Sequence, residues 1–142
     1  MAYKILVVDD EPTIVRLMEF ILARQGHEMI VAVNGEEALE KIKTQQPDLV
    51  LLDIMMPRID GYEVAQLLRA DPKTASLPII MLSAKAQDED IRKGVEIGVD
   101  EYITKPFTPD HLVQIVAKYL ARVQKNEKIE AEEKAKAEEG LG

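Results

Sequence analysis

The chain has 142 residues, 46% of them apolar and 31% charged, which is enough apolar content for one domain with a real core. Its formal net charge of −8 argues against direct nucleic-acid binding, because neutralising phosphates takes a basic surface. The absence of cysteine excludes disulfides, thiol catalysis and thiolate metal sites, and is compatible with a reducing cytoplasm.

Lys4 to Val8 reads as a short apolar strand, followed at once by Asp9, Asp10 and Glu11. Its apolar run is far short of the roughly 20 residues of a membrane span, so a cytoplasmic chain without membrane insertion is expected. Pro12 suits the first turn of a helix carrying Ile14, Leu17, Met18, Ile21 and Leu22 at helical spacing, and Gly26 suits its left-handed end. Glu28 to Val33 is a second strand, and Asn34 caps a second helix with Ala38, Leu39 and Ile42. Leu49 to Leu52 is apolar without alternation, the pattern of a strand covered on both faces, and Asp53 stands at its end. Asp60 caps a third helix with Val64, Leu67 and Leu68, which Asp71-Pro72 breaks. Leu77 to Leu82 is a fourth strand ending in Ser83-Ala84-Lys85.

The helix from about Asp88 to Ile97 is the most polar, and Gly94 in its middle costs roughly 1 kcal/mol relative to Ala. Gly98 ends it, Asp100 to Thr104 is the fifth strand, and Thr108-Pro109 starts a last helix that runs past Tyr119. Five strands alternating with five helices predict a three-layer α/β fold, a doubly wound parallel sheet with right-handed crossovers. From about Ala121 the chain turns to Ala, Glu and Lys, with Ile129 and Leu141 the only large apolar residues after Val123. This reads as a domain over 1–124 and a charged extension over 125–142, helical or disordered, with pairs such as Glu130 and Lys134 at i,i+4 spacing.

In a parallel sheet the strand ends face one edge, which gathers Asp9, Asp10, Asp53, Ser83 and Lys105. Three carboxylates in one crevice repel one another, so a lysine or a hard divalent cation is expected among them. Oxygen-only ligation suits Mg²⁺, and His27 and His111 are expected at the surface. One carboxylate can act as nucleophile towards a phosphoryl group while lysine, metal and a hydroxyl neutralise the phosphoryl oxygens; Asp53 is the candidate.

Over about residues 3–124 the chain resembles the receiver domain of bacterial two-component response regulators, which has the flavodoxin-like receiver fold. The resemblance rests on Asp9-Asp10, Asp53-Ile54-Met55-Met56-Pro57 with Gly61, Ser83-Ala84 and Lys105-Pro106-Phe107. It implies a phosphoacceptor, Asp53, that takes its phosphoryl group from a phosphohistidine on a sensor histidine kinase or a histidine phosphotransfer protein. It implies Mg²⁺ held by Asp10, Asp53 and the Met55 carbonyl, with Asp9 binding through water. Lys105 would pair with the phosphoryl oxygens, and the Lys105–Pro106 bond is expected to be cis.

The same resemblance makes Ser83 and Tyr102 a switch pair: Ser83 moves to the phosphoryl group and Tyr102 turns inward past the small Ala84. The readout surface is then helix four, strand five and helix five. Met55 and Lys85 are expected at the pocket mouth, and an apolar Met55, which cannot hydrogen-bond the attacking water, predicts a long-lived phosphoryl state. An aspartyl-phosphate hydrolase or mutase is the enzyme alternative, but such enzymes carry a second Asp two residues after the nucleophile, where this chain has Met55. A phosphorylation-independent pseudo-receiver is the other alternative, and it would usually lack one of the five groups. With roughly 20 residues after the receiver region, the expectation is a stand-alone regulator, not an enzyme. It would act on an unknown protein target or in a phosphorelay, as a monomer or a phosphorylation-dependent dimer.

Overall fold

The structure, a computed structural model, describes residues 2–84 and 88–140. Its elements are β1 (Lys4–Val8), α1 (Pro12–Ala23), β2 (Glu28–Ala32), α2 (Gly35–Gln45), β3 (Leu49–Asp53), α3 (Gly61–Ala70), β4 (Ile79–Ser83), α4 (Asp88–Ile97), β5 (Glu101–Thr104) and α5 (Pro109–Gly140). The strands form one parallel sheet in the order β2-β1-β3-β4-β5. The chain therefore starts in the middle of the sheet, winds out to one edge, then crosses β1 and winds to the other. The crevice where the direction reverses, between β1 and β3, is where this architecture places ligands.

The central strands lack alternation because both of their faces are covered. Ile5, Val7, Leu49, Leu51, Ile80 and Leu82 point to a core shared with α1 and α5. Their neighbours Leu6, Val8, Val50, Leu52, Ile79 and Met81 point to a second core shared with α2 and α3. Each such side chain taken out of water contributes about 1.5–3 kcal/mol, which is what holds the layers together. Side-chain caps set where two helices begin: Asn34 Oδ1 accepts from the Glu37 N–H at 2.8 Å, and Asp60 Oδ1 from the Glu63 N–H at 2.9 Å.

The boundaries differ from expectation where tertiary pairing decides. β2 stops at Ala32 and Val33 is half exposed, because the Asp9 N–H, just past β1, takes the Ala32 carbonyl as the last rung of the ladder. β3 and β4 extend to include Asp53 and Ser83, while β5 begins only at Glu101. Asp100 turns its side chain back to accept the Ile79 N–H. α1 ends at Ala23, and a short turn carries the chain to Gly26, whose φ of +90° suits glycine. Leu17 and Leu67, placed on core stripes by spacing, lie at the margins with 41% and 52% exposure. His27 is half-buried, and its Nδ1 accepts the Tyr3 N–H, whereas His111 is exposed as expected. The charged extension continues α5 without a break to Gly140, and its residues 125–138 are exposed.

Candidate functional site

Asp53 is the last residue of β3, Asp9 follows β1 directly, Ser83 ends β4 and Lys105 follows β5. The ladder continues past the strands: the Ile54 N–H donates to the Leu82 carbonyl at 3.1 Å and the Lys105 N–H to the Ser83 carbonyl at 2.7 Å. Side chains from four strand ends are thereby locked to one edge. Gly61 closes the floor, because its N–H reaches the Ile54 carbonyl while a Cβ there would stand 2.4 Å from the Asp53 carbonyl oxygen. Any larger residue would push α3 off the loop after β3.

Asp9, Asp10 and Asp53 bring carboxylate oxygens within 4.8 Å of one another, with Asp9 and Asp53 buried and Asp10 exposed. Lys105 answers this charge: its Nζ donates to Asp9 Oδ2 at 2.7 Å and lies 3.6 Å from Asp53 Oδ1 and 4.0 Å from Glu11 Oε1. One ammonium cannot balance that many acids. Burial, followed by the negative charge of Asp9, pushes the Asp53 carboxyl up to about 6, although Lys105 and the Met55 N–H both favour its ionised form. On Lys105, burial works against the ammonium, but the bond to Asp9 and the charges of Asp53, Asp9 and Glu11 outweigh it and hold the group above its ordinary value.

The cluster is an all-oxygen donor set with one buried face and one exposed acid through which an ion can enter, and it has surplus negative charge. Those properties fit a hard divalent cation of the Mg²⁺ type. The Lys105–Pro106 peptide bond is cis, as the resemblance implied. Ser83 is buried at the same edge and Met55 is 77% exposed at the rim. Lys85, expected at the mouth, lies outside the described residues. Tyr102 sits on β5 with its hydroxyl donating to the Asp90 carbonyl of α4.

Spacing alone passed over Glu11 as a site residue, although its place as a third consecutive acid after β1 was the available signal. Its N–H donates to Asp9 Oδ1 at 3.0 Å and so helps aim Asp9 at Lys105. Spacing also read Gly94 only as a weak point of α4, with no signal for its contact with Tyr102.

Comparison with known proteins matches residues 5–117 to the response regulator receiver domain. The chain is 47% identical over 119 residues to the alkaline phosphatase synthesis transcriptional regulatory protein PhoP of Bacillus subtilis, covering 84% of this chain and 49% of that protein. It is 41% identical over 132 residues to the DNA-binding response regulator MtrA of Mycolicibacterium smegmatis, covering 93% of this chain and 55% of that one. The chain thus spans about half the length of the curated relatives it matches. Among solved structures, the Vibrio cholerae chemotaxis protein CheY4 superposes with a TM-score of 0.80 at 28% identity, covering 84% of this chain and 99% of that one.

Proposed function

The chain belongs to the response regulator receiver family of two-component signalling, and on that premise we propose that Asp53 is its phosphoacceptor. The observation that carries the reading is the placing of one partly buried ammonium against two buried carboxylates at the switch point of the sheet, 2.7 Å from Asp9 and 3.6 Å from Asp53. In the ionised form an Asp53 oxygen attacks phosphorus, forming an O–P bond as the P–N bond of a donor phosphohistidine breaks and the imidazole departs with the electron pair. A sensor histidine kinase or a histidine phosphotransfer protein is the donor. Lys105 pairs with the phosphoryl oxygens, and the Ser83 hydroxyl, buried at the adjacent strand end, hydrogen-bonds one of them.

Asp10, Asp53 and the Met55 carbonyl are the residues that would hold Mg²⁺, with Asp9 joining through water. The ion, when bound, supplies the positive charge that neutralises the phosphoryl group. The chain is a phosphoacceptor and not a turnover enzyme, since Met55 stands where an aspartyl-phosphate hydrolase needs its second acid. Tyr102 and Ser83 form the switch, read out through the α4, β5 and α5 surface. The output is a protein contact; longer relatives, one named a transcriptional regulatory protein and one a DNA-binding response regulator, favour a second reading, in which the receiver governs a DNA-binding module.

Intact mass after incubation with acetyl phosphate tests the reading. One phosphoryl adduct that needs Mg²⁺ and is absent from Asp53→Asn is expected. No adduct from acetyl phosphate or from a panel of phosphorylated kinases would overturn it.

A further inference from the structure

Two helices of this chain begin in the same way. Asn34 and Asp60 cap α2 and α3, each accepting the N–H three residues on, and the residue after each cap is a buried glycine, Gly35 or Gly61. Gly61 lets α3 close on the Asp53 carbonyl. Gly35 does the same for α2 against the loop that joins β3 to α3. A Cβ on Gly35 would stand 2.9 Å from the Ile59 carbonyl oxygen and 2.9 Å from Cγ2 of Val64, which is fully buried. Gly35 does not have a positive φ, so close approach and not backbone conformation is what requires glycine here. Neither neighbour gives way easily, because one is backbone and the other is packed in the core.

The loop held between these two glycines, residues 54–60, carries Met55, whose N–H bonds the Asp53 carboxylate. Its near end is fixed by the Gly61 N–H on the Ile54 carbonyl at 3.0 Å. Its far end bends at Arg58, where φ is +69°, and comes to rest on Gly35 through Ile59. We propose that Gly35 is a positioning residue for the metal site: by letting α2 close on Ile59, it holds the loop at the height that sets Met55 beside Asp53. The inference rests on the reading that Asp10, Asp53 and the Met55 carbonyl hold Mg²⁺. A Cβ at position 35 pushes the Ile59 carbonyl away from α2, and with Ile54 fixed the displacement falls on the residues between, Met55 among them. Mg²⁺ tolerates little departure from octahedral geometry, so a displaced carbonyl ligand weakens binding.

The test titrates the full chain with MgCl₂ under ¹⁵N NMR, which reads the Kd from the amides around Asp53. Gly35→Ala is expected to shift the amides of residues 55, 56, 58 and 59 before metal is added and to raise the Kd about tenfold, the loss typical of disturbing groups that hold a metal ligand in place. Because the defect lies in affinity, its rate of phosphorylation by acetyl phosphate is expected to return to within about twofold of the parent once Mg²⁺ saturates. A general loss of structure would not be repaired in that way.

Arg58 offers a second handle at an exposed position. Arg58→Val cannot keep the positive φ without strain and is expected to raise the Kd as well. Arg58→Gly keeps the bend and loses only the exposed 3.8 Å pair with Glu36, so it is expected to bind as the parent does. Weaker binding by Gly35→Ala and Arg58→Val, with Arg58→Gly unchanged and the rate recovered at saturating Mg²⁺, supports the inference; any other pattern overturns it. If Gly35→Ala does not fold, the two Arg58 variants decide. A parent whose amides around Asp53 do not respond to Mg²⁺ overturns the metal reading and the inference with it. A responding parent beside a Gly35→Ala protein of equal affinity overturns the inference alone.

Discussion

The two edges of the sheet each hold carboxylates against a cation, and they do so in opposite ways. At the edge away from the site, Arg69 meets Asp100 at 3.0 Å and spends its remaining donors on the carbonyls of Gly98 at 2.9 Å and Leu77 at 2.7 Å. Asp100 also accepts the Ile79 N–H at 2.8 Å. One acid faces one base, and every partner has a backbone role: the pair ties the end of α3 to the starts of β4 and β5. At the site edge, Asp9, Asp53 and Glu11 face Lys105, the one cation that meets them among the described residues, and Asp10 adds a further carboxylate to the cluster. Balanced charge holds the fold together, whereas unbalanced charge leaves something for a ligand to complete.

Removing the base from the balanced edge should have the largest effect. Arg69→Ala is expected to cost about 3 kcal/mol in urea unfolding, since it strands Asp100 and two carbonyls while the partial exposure of the pair limits the loss. A cost under 0.5 kcal/mol would place this pair with ordinary surface bridges.

The unbalanced edge should respond in the reverse sense. The folded-state pKa of Asp53, about 6, is above its unfolded value near 4, so the folded state binds the extra proton between those pH values. Raising the pH through that window removes stability, and the deficit is complete above about pH 6. Asp53→Asn takes away the titration, so without divalent cations it should be about 2 kcal/mol more stable than the parent at pH 7.5 and equal to it below about pH 4. Adding Mg²⁺ should raise the parent's Tm, shrink the difference and leave Asp53→Asn little changed. A variant no more stable than the parent at any pH would remove the claim of excess charge.

A smaller effect is expected at Tyr3, ahead of β1. Its hydroxyl is buried with no hydrogen-bond partner, the one such side-chain group found among the described residues. Tyr3→Phe is expected to stabilise by up to about 1 kcal/mol in the same urea experiment. Destabilisation would mean that water satisfies the hydroxyl.

Much of this was legible in the chain because the signals were local. The unbroken apolar runs of β1, β3 and β4 announced strands covered on both faces, and the acids, Ser83 and Lys105 that followed them could be assigned to one edge from the parallel topology alone. The misplacements lay where a neighbouring strand or helix decides. Leu67 satisfied the helical spacing but falls at the open edge of its core, and Asp100 looked like a strand residue until Arg69 and Ile79 claimed its carboxylate.

By itself the sequence determined the element order, the layered α/β architecture, the receiver motif residues and the excess of acids over bases at the strand ends, because periodicity, capping and strand-end chemistry are written within a few residues of one another. Only the tertiary structure decided that Lys105 bonds Asp9 more closely than Asp53, that Glu11 joins the cluster, and that the end of the Tyr102 ring packs against the glycine in α4. Those facts depend on side chains that meet across separate elements, at distances that no spacing along the chain encodes.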